Sequence, residues 1–225
     1  MKKKLATVAA AVLSAVLLCQ PVQADPGGLA VAGKVSTMGL GGEVIANIAP
    51  NLNGRVGVNW LNLNIDGTES DIEYNFAIDF LSFSGLLDWY VFNNSFHISG
   101  GLFYNKNEAG LTAKLAGTYT IGGVDYTSDQ IGTLTGRLTY DQEIAPYIGI
   151  GWGNPITSKG NLSLMFDLGV LFAGSPTVDL SAVAANPALQ GELDANVATE
   201  EADVNEQVKD FKFYPVVALS LVYRF

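Results

Sequence analysis

The chain is short of charge, thiol and imidazole. Charged residues make up 15% of its 225 positions, with one cysteine and one histidine. So little charge beside 48% hydrophobic residues excludes a disordered chain, which needs the opposite balance. Basic residues are scarcer still, 12 Lys and Arg against 22 Asp and Glu, for a net charge of −10. A general nucleic-acid role is thereby excluded, because it needs a basic surface that displaces counterions. A lone cysteine excludes intrachain disulfides and cysteine-type zinc sites. Beyond residue 24 no run approaches eighteen consecutive apolar residues, so no transmembrane helix is expected there. Yet mean hydropathy is +0.25. An apolar chain without a spanning helix has to place its apolar surface in some other way.

What is present begins with a targeting segment. Lys2, Lys3 and Lys4 precede an uncharged apolar run, Leu5 to Cys19, and Val22-Gln23-Ala24 supplies a small-residue cleavage site. Residues 1–24 read as a secretory signal peptide, too short to span a membrane. The alternatives are a buried N-terminal helix or acylation at Cys19, which Leu18 disfavours where a small residue is wanted. Cleavage removes three lysines and no acid, leaving 9 basic against 22 acidic residues and a net charge of −13.

Residues 25–225 form one domain whose period is two. Phe211, Phe213, Pro215, Val217, Leu219, Leu221, Tyr223 and Phe225 alternate with Lys212, Tyr214, Val216, Ala218, Ser220, Val222 and Arg224. The same alternation runs through 96–105, 144–152 and 162–172. Successive side chains of a strand point to opposite faces, so each segment has one apolar and one mixed face. The mixed faces are rich in Gly, Ala and Ser and sparse in charge, which suits a crowded interior better than water. The expected fold is all-β, an antiparallel transmembrane β-barrel with its apolar face outward. Strands are expected at 29–36, 39–48, 54–65, 71–91, 96–106, 139–153, 162–181 and 211–225. That makes eight, or ten if 111–121 and 131–139 also cross rather than forming an exposed hairpin. The apolar phase switches at Phe80-Leu81 and again after Trp60, which reads as a β-bulge or as apolar residues turned inward.

Short turns at 49–53, 92–95 and 154–161, in which only Lys159 is charged, alternate with long polar connections. Residues 64–73, 107–143 and 179–210 hold 17 of the 22 acids, so the acids gather at one end of the barrel. Short inner turns and long outer loops are the usual asymmetry of such barrels. The last long connection, an insertion at about 183–210, carries Leu189, Leu193, Val197, Val204 and Val208 at helical spacing. It reads as one amphipathic helix, either resting on the rim or lipid headgroups or serving as a lid or docking site.

Candidate interior groups are Arg55, Asp79, Asp88, His97, Asp167, Lys212 and Arg224. They would form either a plug of ion pairs or the lining of a pore. Buried charge is costly unless paired, and eight strands enclose little more than their own side chains, so the plug is favoured. Trp89, Tyr90 and Trp152, near strand ends, are expected in an aromatic girdle at the membrane interface. No catalytic set, metal site or cofactor is read from the residues. Acidic outer loops could gather divalent cations that bridge lipopolysaccharide phosphates, or could simply be solvated.

Leu219-x-Leu221-x-Tyr223-x-Phe225 resembles the closing strand of bacterial outer-membrane proteins. That resemblance implies recognition by the barrel-assembly machinery. With the signal peptide, the chain resembles the small OmpA/OmpW-type barrels of Gram-negative bacteria, and stretches such as Gly85 to Tyr90 and Gly149 to Pro155 resemble an uncharacterised branch. It implies the cell outer membrane as location and its lipid and lipopolysaccharide as surroundings, with no assigned activity. The function expected is structural or envelope-interacting with a filled interior, against a narrow cation-favouring channel or small-solute binder. His97-x-Ser99 resembles the His-x-Ser pair of outer-membrane lipid A deacylases, which would imply a histidine base and a serine nucleophile. The simpler reading is an interior histidine among polar neighbours.

Overall fold

The computed structural model describes residues 28–69, 72–92, 94–114, 117–156 and 160–225. The signal-peptide reading and the turn residue Lys159 lie outside them. Among the described residues, thirteen strands, a 3-10 turn at Pro187–Leu189 and one α-helix follow in order. Eight strands close an antiparallel ring: β1 (Leu29–Ser36), β2 (Gly39–Ala49), β3 (Leu52–Glu69), β4 (Ile72–Trp89), β5 (Phe96–Asn105), β10 (Ile144–Trp152), β11 (Leu162–Phe172) and β13 (Phe213–Arg224). Closure comes from β1 pairing with both β2 and β13, and from β5 joining β4 to β10. A closed ring leaves no unpaired edge within it.

Alternation along these strands sorts the side chains. Where the strands pair within the ring, the outward positions are apolar or glycine, from Leu29, Val31 and Val35 on β1 to Phe213, Val217, Leu219, Leu221 and Tyr223 on β13. The inward positions carry the buried polar groups. Large exposed apolar residues such as Leu164 (63% exposed) and Ile148 (55%) would be anomalous in water. No helix among the described residues is long and apolar enough to cross a membrane.

Five further strands and the helix sit beyond one end of the ring. The upper halves of β3 and β4 rise past it, and β6 (Glu108–Lys114), β9 (Ile131–Tyr140) and β12 (Pro176–Ala184) extend that sheet in the order β3-β4-β6-β9-β12. A hairpin, β7 (Thr118–Ile121) with β8 (Val124–Thr127), and the helix α1 (Gln190–Val208) complete this outer part. The segments at 111–121 and 131–139 therefore add no strands to the ring. The expected strand 162–181 is two. β11 ends at Phe172, Gly174 turns the chain at a φ of +79° that favours glycine, and β12 pairs with β9 instead.

The phase switch at Phe80-Leu81 also has a different cause from a bulge. β3 and β4 pair without a register shift from Leu52↔Trp89 to Glu69↔Ile72. Within the ring the outward face holds Leu81, Phe83, Leu87 and Trp89. Above it the same face carries Asp79, Asn75 and Glu73, and the apolar residues Tyr74, Phe76, Ile78 and Phe80 occupy the opposite face. On β3 the outward face passes from Val56, Val58 and Trp60 to Asn62, Asn64 and Asp66. The backbone keeps its alternation and the environment inverts. Below, the outside is apolar; above, the outside is polar and the apolar residues take the inner face.

At its β9–β12 end that inner face packs against α1. Leu193 and Val197, both buried, meet Ile131, Ala182, Ala184, Ile121 and Tyr126, with Leu134, Leu180 and Leu189 around them. The helix rests on the outer sheet and the β7–β8 hairpin, where Gly122 N donates to Glu200 (3.1 Å) and the Asn196 amide to Tyr126 Oη (2.5 Å).

Candidate functional site

The interior of the ring is filled in three layers. The lower layer is small and apolar: Ala30, Ala32, Ile45, Met165 and Val222, with Ile156 against it. The upper layer holds Met38, Leu86, Phe103, Tyr147, Leu171 and Val216, capped by Tyr140 and Tyr214. Phe103 and Tyr147 are 5.4 Å apart at 59°, an arrangement aromatic rings favour. Glycines on the facing strands make the room. A Cβ on Gly149 or Gly169 would come within 2.3 or 2.4 Å of the Tyr147 hydroxyl.

Between these layers lies a charged one centred on Arg55. Its Nε sits 2.7 Å from Asp88 Oδ2, and its Nη2 donates to Asp88 Oδ1 (2.9 Å). The same guanidinium donates to both oxygens of Asp167 at 3.1 Å and to Glu43 Oε2 at 3.3 Å. Lys34 pairs with the other Glu43 oxygen. Ser99 Oγ donates to Asp88 Oδ1 (2.7 Å) and accepts from Arg55 Nη2 (3.3 Å). His97 Nε2 lies 3.1 Å from Asp167 Oδ1, and a carboxylate only accepts, so this nitrogen carries the proton. Three carboxylates thus share two fixed cations, a serine and a histidine, all nearly sealed from solvent.

Strand pairing explains why they meet. Asp88 lies opposite Ser99, His97 opposite Gly151, and Gly151 opposite Asp167, all on the inward phase. A Cβ on Gly151 would fall 2.2 Å from His97 Nε2 and 2.8 Å from Asp167 Oδ1. Breaking a buried ion pair by removing one partner costs about 3–5 kcal/mol. The planar fork of arginine can serve several carboxylates at once, where a lysine ammonium could not. A void of about 10 Å³ in this layer is bounded by Lys34, Arg55, Leu86, Phe103, Tyr147 and Asp167. That is room for one water.

Of the expected interior residues, the structure brings Arg55, Asp88, His97 and Asp167 together. Arg224 lies at the lower end, where Nη1 donates to the Ile156 carbonyl (2.5 Å). Two are corrected. Asp79 is exposed, because β4 has left the ring by that point, and Lys212 is exposed at the upper rim just before β13 begins. Tyr90 is corrected as well: at 1% exposure it lies inside, 5.1 Å from the His97 ring, rather than in an outer girdle. Its hydroxyl accepts from Asn53 Nδ2 (3.3 Å) and donates to the Gly153 carbonyl (3.2 Å), closing the lower end. Trp89 and Trp152 do face outward at that end, with Phe96 6.2 Å from Trp152. Leu219, Leu221 and Tyr223 face outward on β13 and Phe225 follows it, 62% exposed. Lys34, Glu43 and Ser99 belong to the network and were missed as its members. Lys34 and Glu43 share the phase of Ala32 and Ile45, so alternation already placed them inside.

His97 and Ser99 do not form a nucleophile and base. Each is bonded to a different aspartate, and both are sealed within the ring.

Two solved structures share this architecture. CarO of Acinetobacter baumannii superposes with a TM-score of 0.60 at 20% identity, over 87% of this chain and 97% of its own. CarO2 of the same organism gives 0.61 at 19% identity, over 88% and 98%. This chain shares the fold of these two proteins. No family model and no curated protein sequence matches it.

Proposed function

We propose that the chain is an eight-stranded transmembrane barrel of a Gram-negative outer membrane whose sealed interior anchors an acidic outer sheet and helix. It acts as a structural or envelope-interaction protein rather than as a pore. The observation that carries this reading is the filled interior: the side chains of the Arg55 network and of the apolar layers above and below it are buried against one another. The uncharged outer face of the ring suits lipid, which accepts no unpaired backbone edge and little charge. The signal segment and the closing strand ending in Phe225 support export and assembly of the OmpA/OmpW type. Acids concentrated on the outer connections suit contact with divalent cations among lipopolysaccharide phosphates.

Protease shaving of intact cells tests the arrangement. Cleavage should fall in the outer connections, including 187–210, and leave a protected ring. Cleavage confined to the turns at 49–52 or 153–161 would contradict the orientation. Vesicles carrying the refolded protein should swell no faster in small amino acids or sugars than empty ones, and rapid swelling would favour a channel.

A further inference from the structure

The outer sheet ends in two edges that the chain treats differently. At β12 the free backbone groups are capped by side chains of α1. Val178 N donates to Asn205 Oδ1 and its carbonyl accepts from Asn205 Nδ2, both at 2.8 Å. Leu180 N donates to Glu201 (2.7 Å), Ala184 N to Gln190 Oε1 (2.8 Å), and the Ala182 carbonyl accepts from Gln190 Nε2 (2.9 Å). Covering an edge in this way prevents another strand from adding to it.

At the other edge no comparable cap is present among the described residues. β2 pairs with β3 only as far as Leu40↔Trp60, so residues 62–67 have β4 on one side and, among the described residues, no backbone partner on the other. An open edge presents unpaired N–H and C=O groups at every second residue, the template for strand addition. Its two faces differ. On the inner face Leu63 (41% exposed) lies beside Ile78, and Ile65 (46%) beside Phe76. On the outer face Asn62 lies beside Asp79 and Asp66 beside Asn75. No basic side chain among the described residues forms an ion pair with Asp66 or Asp79; the nearby Lys114 is paired with Glu73. At the tip a hollow of about 490 Å³ is lined by Asp66, Glu73, Tyr74, Asn75, Thr112 and Lys114.

We infer that the 62–67 edge of β3 is a docking site for an extended segment of another protein in which apolar and basic residues alternate. Backbone bonds to the open edge supply the pairing. The apolar residues of the incoming strand continue the face of Leu63 and Ile65, and its basic residues meet Asp66 and Asp79. One basic side chain enters the hollow beside Asp66 and Glu73. The site needs only the outer sheet, so a conducting barrel would overturn the sealed-interior reading and leave this one standing.

The test uses the refolded full chain in detergent and three labelled peptides of about eight residues, a typical strand length. They are an alternating Lys/Val peptide, an alternating Glu/Val peptide, and a Lys/Val peptide interrupted by proline. Anisotropy should show saturable binding of the first, about tenfold weaker binding of the others, and slowed amide exchange within 62–67. Ile65→Lys and Asp66→Asn should each weaken the Lys/Val peptide about tenfold while heat-modifiable gel mobility stays unchanged. Equal binding of the proline-interrupted peptide would overturn strand addition, and equal binding of the acidic peptide would overturn the charge requirement. Absence of binding at about 1 mM would overturn the site. Concentration-dependent dimerisation abolished by Ile65→Lys would overturn the choice of partner, assigning the edge to a second copy of this chain.

Discussion

Replacing Arg55 with alanine removes the one group that contacts Glu43, Asp88 and Asp167 together. All three carboxylates have side chains at most 5% exposed, so water cannot take its place. Glu43 keeps Lys34, while Asp88 keeps only Ser99 and Asp167 only His97. Removing one partner of a buried pair costs about 3–5 kcal/mol, and here the loss falls mainly on two aspartates. With a urea slope of about 1–3 kcal/mol per molar, about 4 kcal/mol lowers the unfolding midpoint by about 1.3–4 M. The assay is urea unfolding of protein refolded into lipid vesicles, read by the fluorescence of Trp60, Trp89 and Trp152. All three face outward from the ring, so their emission reports loss of the apolar surroundings. Arg55→Lys should recover part of the loss, because one ammonium cannot reach every carboxylate. Arg55→Ala combined with Asp88→Asn and Asp167→Asn should recover more than the single change, because no unpaired charge remains. A single variant within about 0.3 M of the parent, or a triple variant no better than the single one, would refute the reasoning.

Three further changes probe the packing. Gly151→Val places a branched side chain where His97 and Asp167 already touch the Cβ position; overpacking should cost about 1–3 kcal/mol in the same urea assay. Leu193→Ala empties a fully buried position between α1 and β12 and should cost the outer part about 2–5 kcal/mol. It should speed proteolysis within 187–210 and leave heat-modifiable mobility of the ring unchanged. Asn205→Ala together with Glu201→Ala uncovers Val178 and Leu180 at the β12 edge, so their amides should exchange faster, and aggregation should rise with concentration.

Much of the ring was legible because alternation survives in each of its strands, and the outward phase of β11 and β13 reads directly from residues 162–172 and 213–224. The outer sheet was less legible. β3 and β4 run through two environments without a break, so the inversion after Trp60 and before Leu81 looked like a register slip. Only the pairing partners separate the two explanations, and β6, β9 and β12 are remote in sequence. The charged layer was half legible: the phase put Arg55, Asp88, His97 and Asp167 inside. Single-strand patterns could not show that Lys34 and Glu43 lie level with them, since that depends on the stagger of neighbouring strands. Tyr90 was misplaced for a related reason. Trp89 and Tyr90 are adjacent, and adjacent residues of a strand face opposite ways.

The central claim is that the interior is closed by its own side chains. Single-channel recording of the refolded full chain in a planar bilayer tests it most directly. The filled interior predicts a silent membrane at every holding voltage, with discrete conductance appearing once Arg55 is replaced by alanine. Well-resolved conductance steps from the unaltered protein would contradict it.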